Sequence, residues 1–149
     1  MPRALASLLD AAGKIWTLPN TVAGLILGLV ALAFGARATL GRNAIVFNRI
    51  PLVRRAFTLG NVILNPADNL FGTCPTYASV ATYTKSRDPL CIEYVNLGAH
   101  EEAHTRQYQV LGPFFLPIYG LSQLLPAPTP FEKAADVYAK TGRDWWPKF

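Results

Sequence analysis

Residues 99–105 read Ala99-His100-Glu101-Glu102-Ala103-His104-Thr105 and hold both histidines of the 149-residue chain. Residues four apart on an α-helix are separated by about 400°, so His100 and His104 share one face with ~6 Å of rise between them. Two imidazoles placed this way can meet on one metal ion. Zinc accepts them at about 2.0–2.1 Å, and a catalytic site adds a third protein ligand and an open position. Glu101 projects about 100° from His100, which suits a base acting on water better than a third ligand. Glu102 points away from the metal face and reads as a solvated helix residue. The plain alternative is a charged helix whose histidines are spaced by four for no chemical reason. Against it, local signals define a helix: Asn96 caps its start, Leu97, Ala103 and Leu111 supply apolar positions, and Gly112-Pro113 stops it.

Upstream of this helix the apolar period changes. Asn43–Phe47 and Phe57–Leu64 are rich in β-branched and aromatic residues and are bounded by Pro51 and Pro66, a strand pattern. Ala78–Thr84 and Cys91–Val95 read as further strands, turned at Arg87-Asp88-Pro89. Met1–Trp16 has Leu5, Leu8, Leu9, Ala12 and Ile15 at helical spacing. It is a poor secretory signal, because Asp10 interrupts its apolar run and Arg3 alone supplies charge at the front. Val22–Phe34 carries no polar side chain. At ~1.5 Å per residue it falls short of the ~30 Å of a hydrocarbon core, which favours a buried helix over a span. Gly24 and Gly28 would let a sheet or helix approach it closely; membrane association through this segment is the alternative reading. Downstream, Phe114–Leu121 reads as a core-wrapping segment, Pro126–Pro130 as a stiff connection, Phe131–Lys140 as a final helix, and Trp145-Trp146-Pro147 as a packed tail. Strands before the motif helix and helices at both ends predict a single α+β domain over residues 1–149. In it, a mostly antiparallel sheet packs against a buried apolar helix and the motif helix.

The chain has a net charge of +5 and a pI near 9.5, yet Arg54-Arg55 is its only adjacent basic pair. With no reader motif beside the charge, nucleic acid is not an expected partner. Cys74 and Cys91 could pair in an oxidising compartment or stand as two thiols, and no histidine lies near them in sequence to make them metal ligands.

His100-Glu101-x-x-His104, followed 28 residues after the second histidine by Glu132 and then Asp136, resembles the zincin metallopeptidases of the glutamate-ligand branch. The resemblance implies that His100, His104 and Glu132 bind zinc, that Glu101 activates water, and that Asp136 orients a ligand histidine. The metzincin pattern would require glycine and histidine where Gln107 and Val110 stand. Thr17-Leu18-Pro19-Asn20-Thr21, Gly24-Leu25, Asn43-Ala44-Ile45, Thr58-Leu59-Gly60-Asn61, His100-Glu101, His104-Thr105, Gln107, Leu111-Gly112-Pro113 and Leu116-Pro117 are similar to the C-terminal toxin modules of Rhs-type polymorphic toxins of bacteria. Those modules are generally taken as metallopeptidases. That resemblance implies a toxin effector, delivered by a secretion system into target cells, and an immunity protein as partner.

The residues themselves also point to a downstream carboxylate. Two histidines are too few for a catalytic zinc, and the chain has nine carboxylates. Glu101 and Glu102 are excluded by direction, Asp10, Asp68, Asp88 and Glu93 lie upstream, and Asp144 lies in the tail. Glu132 and Asp136 remain, one turn apart, so that one can bind zinc and the other orient a histidine. Each has a rival role. Thr129-Pro130-Phe131-Glu132 fits a capping box, and Lys140 can pair with Asp136. The expectation is a zinc-dependent hydrolase of peptide or protein substrates. Tyr108, Tyr119, Tyr138 and Arg143 are the candidates to stabilise an oxyanion.

Overall fold

The computed structural model describes residues 3–51, 53–86, 92–125 and 129–148. Its elements are helices α1 (Arg3–Trp16) and α2 (Leu18–Leu32), strands β1 (Arg37–Gly41), β2 (Ala44–Asn48), β3 (Phe57–Leu59), β4 (Val62–Leu64) and β5 (Thr73–Pro75), helix α3 (Tyr77–Ser86), strand β6 (Tyr94–Asn96), and helices α4 (Leu97–Leu111), α5 (Phe115–Ser122) and α6 (Pro130–Thr141). The class is α+β, as expected. Strands order β1-β2-β4-β3 in the larger sheet, with β1/β2 and β3/β4 antiparallel and β2/β4 parallel. The apolar run Phe57–Leu64 is a hairpin rather than one strand. Gly60 turns it with φ at +61°, and a Cβ there would collide with Thr21, so this turn needs glycine.

Successive residues of a strand face opposite sides of a sheet, and β4 is apolar on both. Val62 and Leu64 join Phe47, Ala31 and Ile50 in the layer beneath α2. Ile63 joins Val46 and Leu70 on the other face, against Leu97 at the start of α4. All three β4 side chains are essentially excluded from water, at about 1.5–3 kcal/mol each for residues of this size. A third cluster, Tyr108, Phe115 and Phe131, ties α4, α5 and α6 together.

Four further expectations about the elements need correction. Residues 78–84 belong to α3, not to a strand. Thr76 Oγ1 accepts the Ser79 N–H at 3.2 Å, and the hydroxyls of Thr82 and Thr84 bond back to the carbonyls of Ala78 and Val80, so threonines that suggest a strand are satisfied inside a helix. In the region read as Cys91–Val95, the strand is β6, which pairs with β5 outside the main sheet; Cys91 and the turn at 87–89 lie outside the described residues. The apolar helix α2 does pack on the sheet, but through Asn20, Thr21, Gly24, Gly28 and Ala31, while Val22, Ile26, Leu27, Leu29 and Val30 stay exposed. Gly24 and Gly28 explain the approach: a Cβ on Gly24 would sit 2.8 Å from Val62, and one on Gly28 would enter the Phe47 ring. Finally, Phe114–Leu121 does not wrap the core, since Phe114, Leu116, Ile118 and Leu121 are exposed and Phe115 is the apolar side chain it buries. Among the described residues, no single helix is long and apolar enough to cross a membrane. The tail behaves as expected, with Trp145 and Trp146 half-buried and their rings in edge contact.

Candidate metal centre

Helix α4 starts where the local chemistry says it should, with Asn96 Oδ1 accepting the Ala99 N–H at 2.8 Å. Helix α6 packs along it, and both bury small residues, Ala103 on α4 and Ala134 and Ala135 on α6. Side chains of the two helices therefore meet at short range. His100, His104 and Glu132 converge, all buried, with His100 Nε2 at 3.1 Å from Glu132 Oε2, His104 Nε2 at 3.5 Å from the same oxygen, and the two Nε2 atoms 3.3 Å apart.

The other ring nitrogen of each histidine is anchored. His100 Nδ1 donates to Asp136 Oδ1 at 3.0 Å, and Asp136 Oδ2 accepts the Tyr77 N–H at 2.8 Å. His104 Nδ1 donates to Gln107 Oε1 at 2.8 Å. The orientation of that amide is set independently, because Gln107 Nε2 donates to the carbonyls of Phe131 and Trp145 at 3.2 and 2.9 Å. With a proton on each Nδ1, both Nε2 atoms of neutral rings present lone pairs to a carboxylate oxygen. Three acceptors facing one another call for a cation. Ligands at about 2.0–2.1 Å in a tetrahedron lie roughly 3.3–3.4 Å apart, the spacing these three atoms already have. The donor set therefore fits zinc, with a histidine held by a carboxylate and another by an amide as orienting partners.

Protons compete for the same lone pairs. Burial opposes charge on His100, but the hydrogen bonds to Asp136 and Glu132 outweigh it and lift its pKa to about 10. Burial likewise disfavours the Glu132 carboxylate, yet the facing histidines hold its pKa well below the usual range. Both rival roles fail. Thr129 caps α6 without any side-chain cap bond, so Glu132 turns to the histidines and also accepts from the Tyr119 hydroxyl. Lys140 pairs with Glu93 at 2.6 Å instead of with Asp136.

Glu101 is buried beside the cluster, and its Oε2 accepts from Thr58 Oγ1 on β3 at 2.7 Å. It lines, with His100, His104 and Glu132, a cavity of about 220 Å³ whose walls include Tyr77, Tyr108, Tyr119, Phe115 and Leu116. Glu102 is not a solvated residue. It is held by Arg106 at 2.8 Å, Arg42 at 3.7 Å and the Tyr138 hydroxyl at 2.8 Å.

Of the oxyanion candidates, Tyr108 and Tyr119 reach the cavity and two do not. Tyr138 is committed to Glu102, and Arg143 is exposed beside Thr141. Tyr119 keeps its proton, since burial and Glu132 push the phenol pKa far up, and burial does the same for Tyr108, whose hydroxyl has no partner among the described residues. Sequence reasoning missed Tyr77, whose ring stacks on His100 with 7° between the planes and whose phenol is pushed up to about 12, by burial first and then by Glu132. It also missed the roles of Thr58 and Gln107. Gln107 carried a signal, three residues after His104 and so on the same helix face; Thr58 and Tyr77 carried none, because only the fold brings them here. Comparison with protein-family models, with curated proteins and with solved structures found no match.

Proposed function

We propose that this chain is a zinc-dependent hydrolase acting on peptide bonds, with His100, His104 and Glu132 as the metal ligands. The reading is carried by one observation, the convergence of two Nε2 lone pairs and a carboxylate oxygen from rings whose Nδ1 atoms are already anchored. When bound, zinc would polarise a carbonyl and bring the pKa of water toward ~7. The remaining work falls to this chain's side chains.

Glu101 is held in one orientation by Thr58 and faces the same cavity as the ligands. Its carboxylate takes a proton from the attacking water and returns it to the leaving amine, the two transfers that amide cleavage requires. Tyr77, Tyr108 and Tyr119 remain neutral phenols that can donate a hydrogen bond to negative charge developing on the carbonyl oxygen. Tyr119 already spends its proton on Glu132, which leaves Tyr77 and Tyr108 as the freer donors. Phe57, Leu59, Phe115 and Leu116 give the cavity an apolar wall, suited to an uncharged side chain and to excluding bulk water.

The resemblance to Rhs-type toxin modules supports a role as a bacterial effector restrained by an immunity protein. The test is a paired assay on purified protein: zinc content by elemental analysis, and hydrolysis of a quenched-fluorescence peptide library. About one equivalent of zinc and cleavage that is abolished by a chelator and restored by added zinc support the proposal. A wild-type protein that takes up no zinc from a zinc-supplemented solution would overturn it.

A further inference from the structure

We infer that α1, α2 and α5 together form a surface that docks on a lipid bilayer. A surface helix normally turns its apolar stripe inward and its polar face to water. Here the polarity is inverted on two consecutive helices. Helix α2 buries small and polar residues against the sheet and exposes large apolar ones. At 100° per residue, the exposed positions of α2 sweep about 220° of its circumference. Helix α1 turns Asp10 toward Gln109, packs Gly13 on Gln109, and leaves Leu5, Leu8, Leu9 and Ile15 outside. From Ile15 to Ala36 there is no charged side chain at all.

The third helix is continuous with the other two. Trp16, at the joint between α1 and α2, contacts the Phe114 ring at 6.1 Å, and Asn20 Nδ2 donates to the Gly112 carbonyl at 2.9 Å, in the turn that leads into α5. Leu116, Ile118 and Leu121 extend the apolar surface along α5.

The shape of this surface selects its occupant. A protein partner covers one face of a helix, whereas apolar exposure over more than half of the circumference suits a medium that closes around it. Neither helix alone is long and apolar enough to span a hydrocarbon core, and although the two together reach that length they meet at a bend of 67°; apolar exposure along both arms of such a bend suits a surface lying in the interface plane. Trp16, half-exposed at the bend, is the residue type that anchors at the boundary between headgroups and acyl chains. The net charge of +5 favours anionic headgroups. Leu116 belongs both to this surface and to the wall of the metal-centre cavity. On the hydrolase reading, on which this one step rests, the substrates are therefore polypeptides held at or in a membrane.

The docking test needs neither metal nor turnover. The 149-residue protein, chelator-treated or zinc-loaded, is floated on a density gradient with vesicles of phosphatidylcholine containing phosphatidylglycerol, and separately with phosphatidylcholine alone. The wild type should rise with the anionic vesicles in both metal states. Ile26→Glu on α2 and Leu8→Glu on α1 replace exposed side chains, so each should keep its circular-dichroism melting profile and lose vesicle binding by about tenfold or more. Wild type that stays monodisperse at the bottom of the gradient overturns the inference. So does an oligomer, seen by light scattering, that Ile26→Glu converts to monomer, since the surface would then be an interface between copies. Flotation of a protein with no peptidase activity would leave the docking surface standing and remove the hydrolase reading.

Discussion

Replacing Glu132 and Asp136 one at a time by alanine would separate the proposed zinc ligand from the residue proposed to orient one. Both carboxylates are buried, both touch His100, and they sit one turn apart on α6. They touch different nitrogens. Glu132 reaches Nε2 of both histidines, whereas Asp136 holds Nδ1 of His100 and the Tyr77 N–H. A four-ligand structural zinc contributes about 10–16 kcal/mol, or roughly 2.5–4 kcal/mol per ligand if divided evenly. Loss of Glu132 should therefore weaken zinc binding by about 10²–10³-fold. Asp136→Ala leaves all three ligands in place but frees the His100 ring, and the expected loss is about 10–100-fold, or roughly 1.4–2.7 kcal/mol. The assay is competition for zinc against a chromophoric chelator, with melting of the metal-free proteins as a check on folding. Wild-type affinity in Glu132→Ala would refute the ligand assignment. A larger loss in Asp136→Ala than in Glu132→Ala would mean that the two roles are exchanged.

Three further outcomes are expected. Glu101→Gln keeps the hydrogen bond from Thr58 within reach but removes the proposed base, so peptide cleavage should fall by about 10²–10⁴-fold while zinc content stays at the wild-type level; undiminished turnover would assign the proton transfer elsewhere. Gln107→Leu removes the acceptor for His104 Nδ1 and should weaken zinc by about 10–100-fold in the same chelator assay, with unaltered affinity counting against the tautomer argument. Gly28→Ala drives a methyl into the Phe47 ring and should cost about 1–3 kcal/mol, read from denaturant unfolding, and a variant as stable as wild type would show that α2 can back away from the sheet.

What could be read from the residues was what depends on short range. The motif helix declares itself through Asn96, the four-residue spacing of its histidines and Gly112, all within one local segment. Elimination among nine carboxylates leaves Glu132 and Asp136, and the structure places both against His100. Directions were harder. Glu102, Tyr138 and Arg143 lie close to the site in sequence or in the fold, but Glu102 and Tyr138 bind each other, and Arg143 faces solvent. Composition identified α2 as apolar, yet burial of its small side depends on the shape of the sheet beneath, which no pattern along α2 records. The threonines of α3 suggested a strand because their hydroxyls could not be seen to bond within their own helix. Tyr77, at the start of α3, and Thr58, on β3, lie more than 20 residues upstream of the His100 and Glu101 they contact, and only the fold brings them there.

The three metal-ligand candidates come from two helices, and 28 residues of chain separate His104 from Glu132. A cation held between them acts as a reversible staple across that loop. In the chain-entropy description, a permanent cross-link closing ~28 residues disfavours the unfolded ensemble by about 3.5 kcal/mol. A disulfide makes such closure answer to redox conditions, but here the closure would answer to the free zinc concentration. Without the ion, α6 is kept on α4 by the Phe131 cluster, the anchoring bonds of Gln107 and Asp136, and a histidine pair that must take up protons to face its carboxylate. The C-terminal third of the molecule would then tighten or loosen with metal supply, so the conditions that load the site also decide how readily that region opens to a protease.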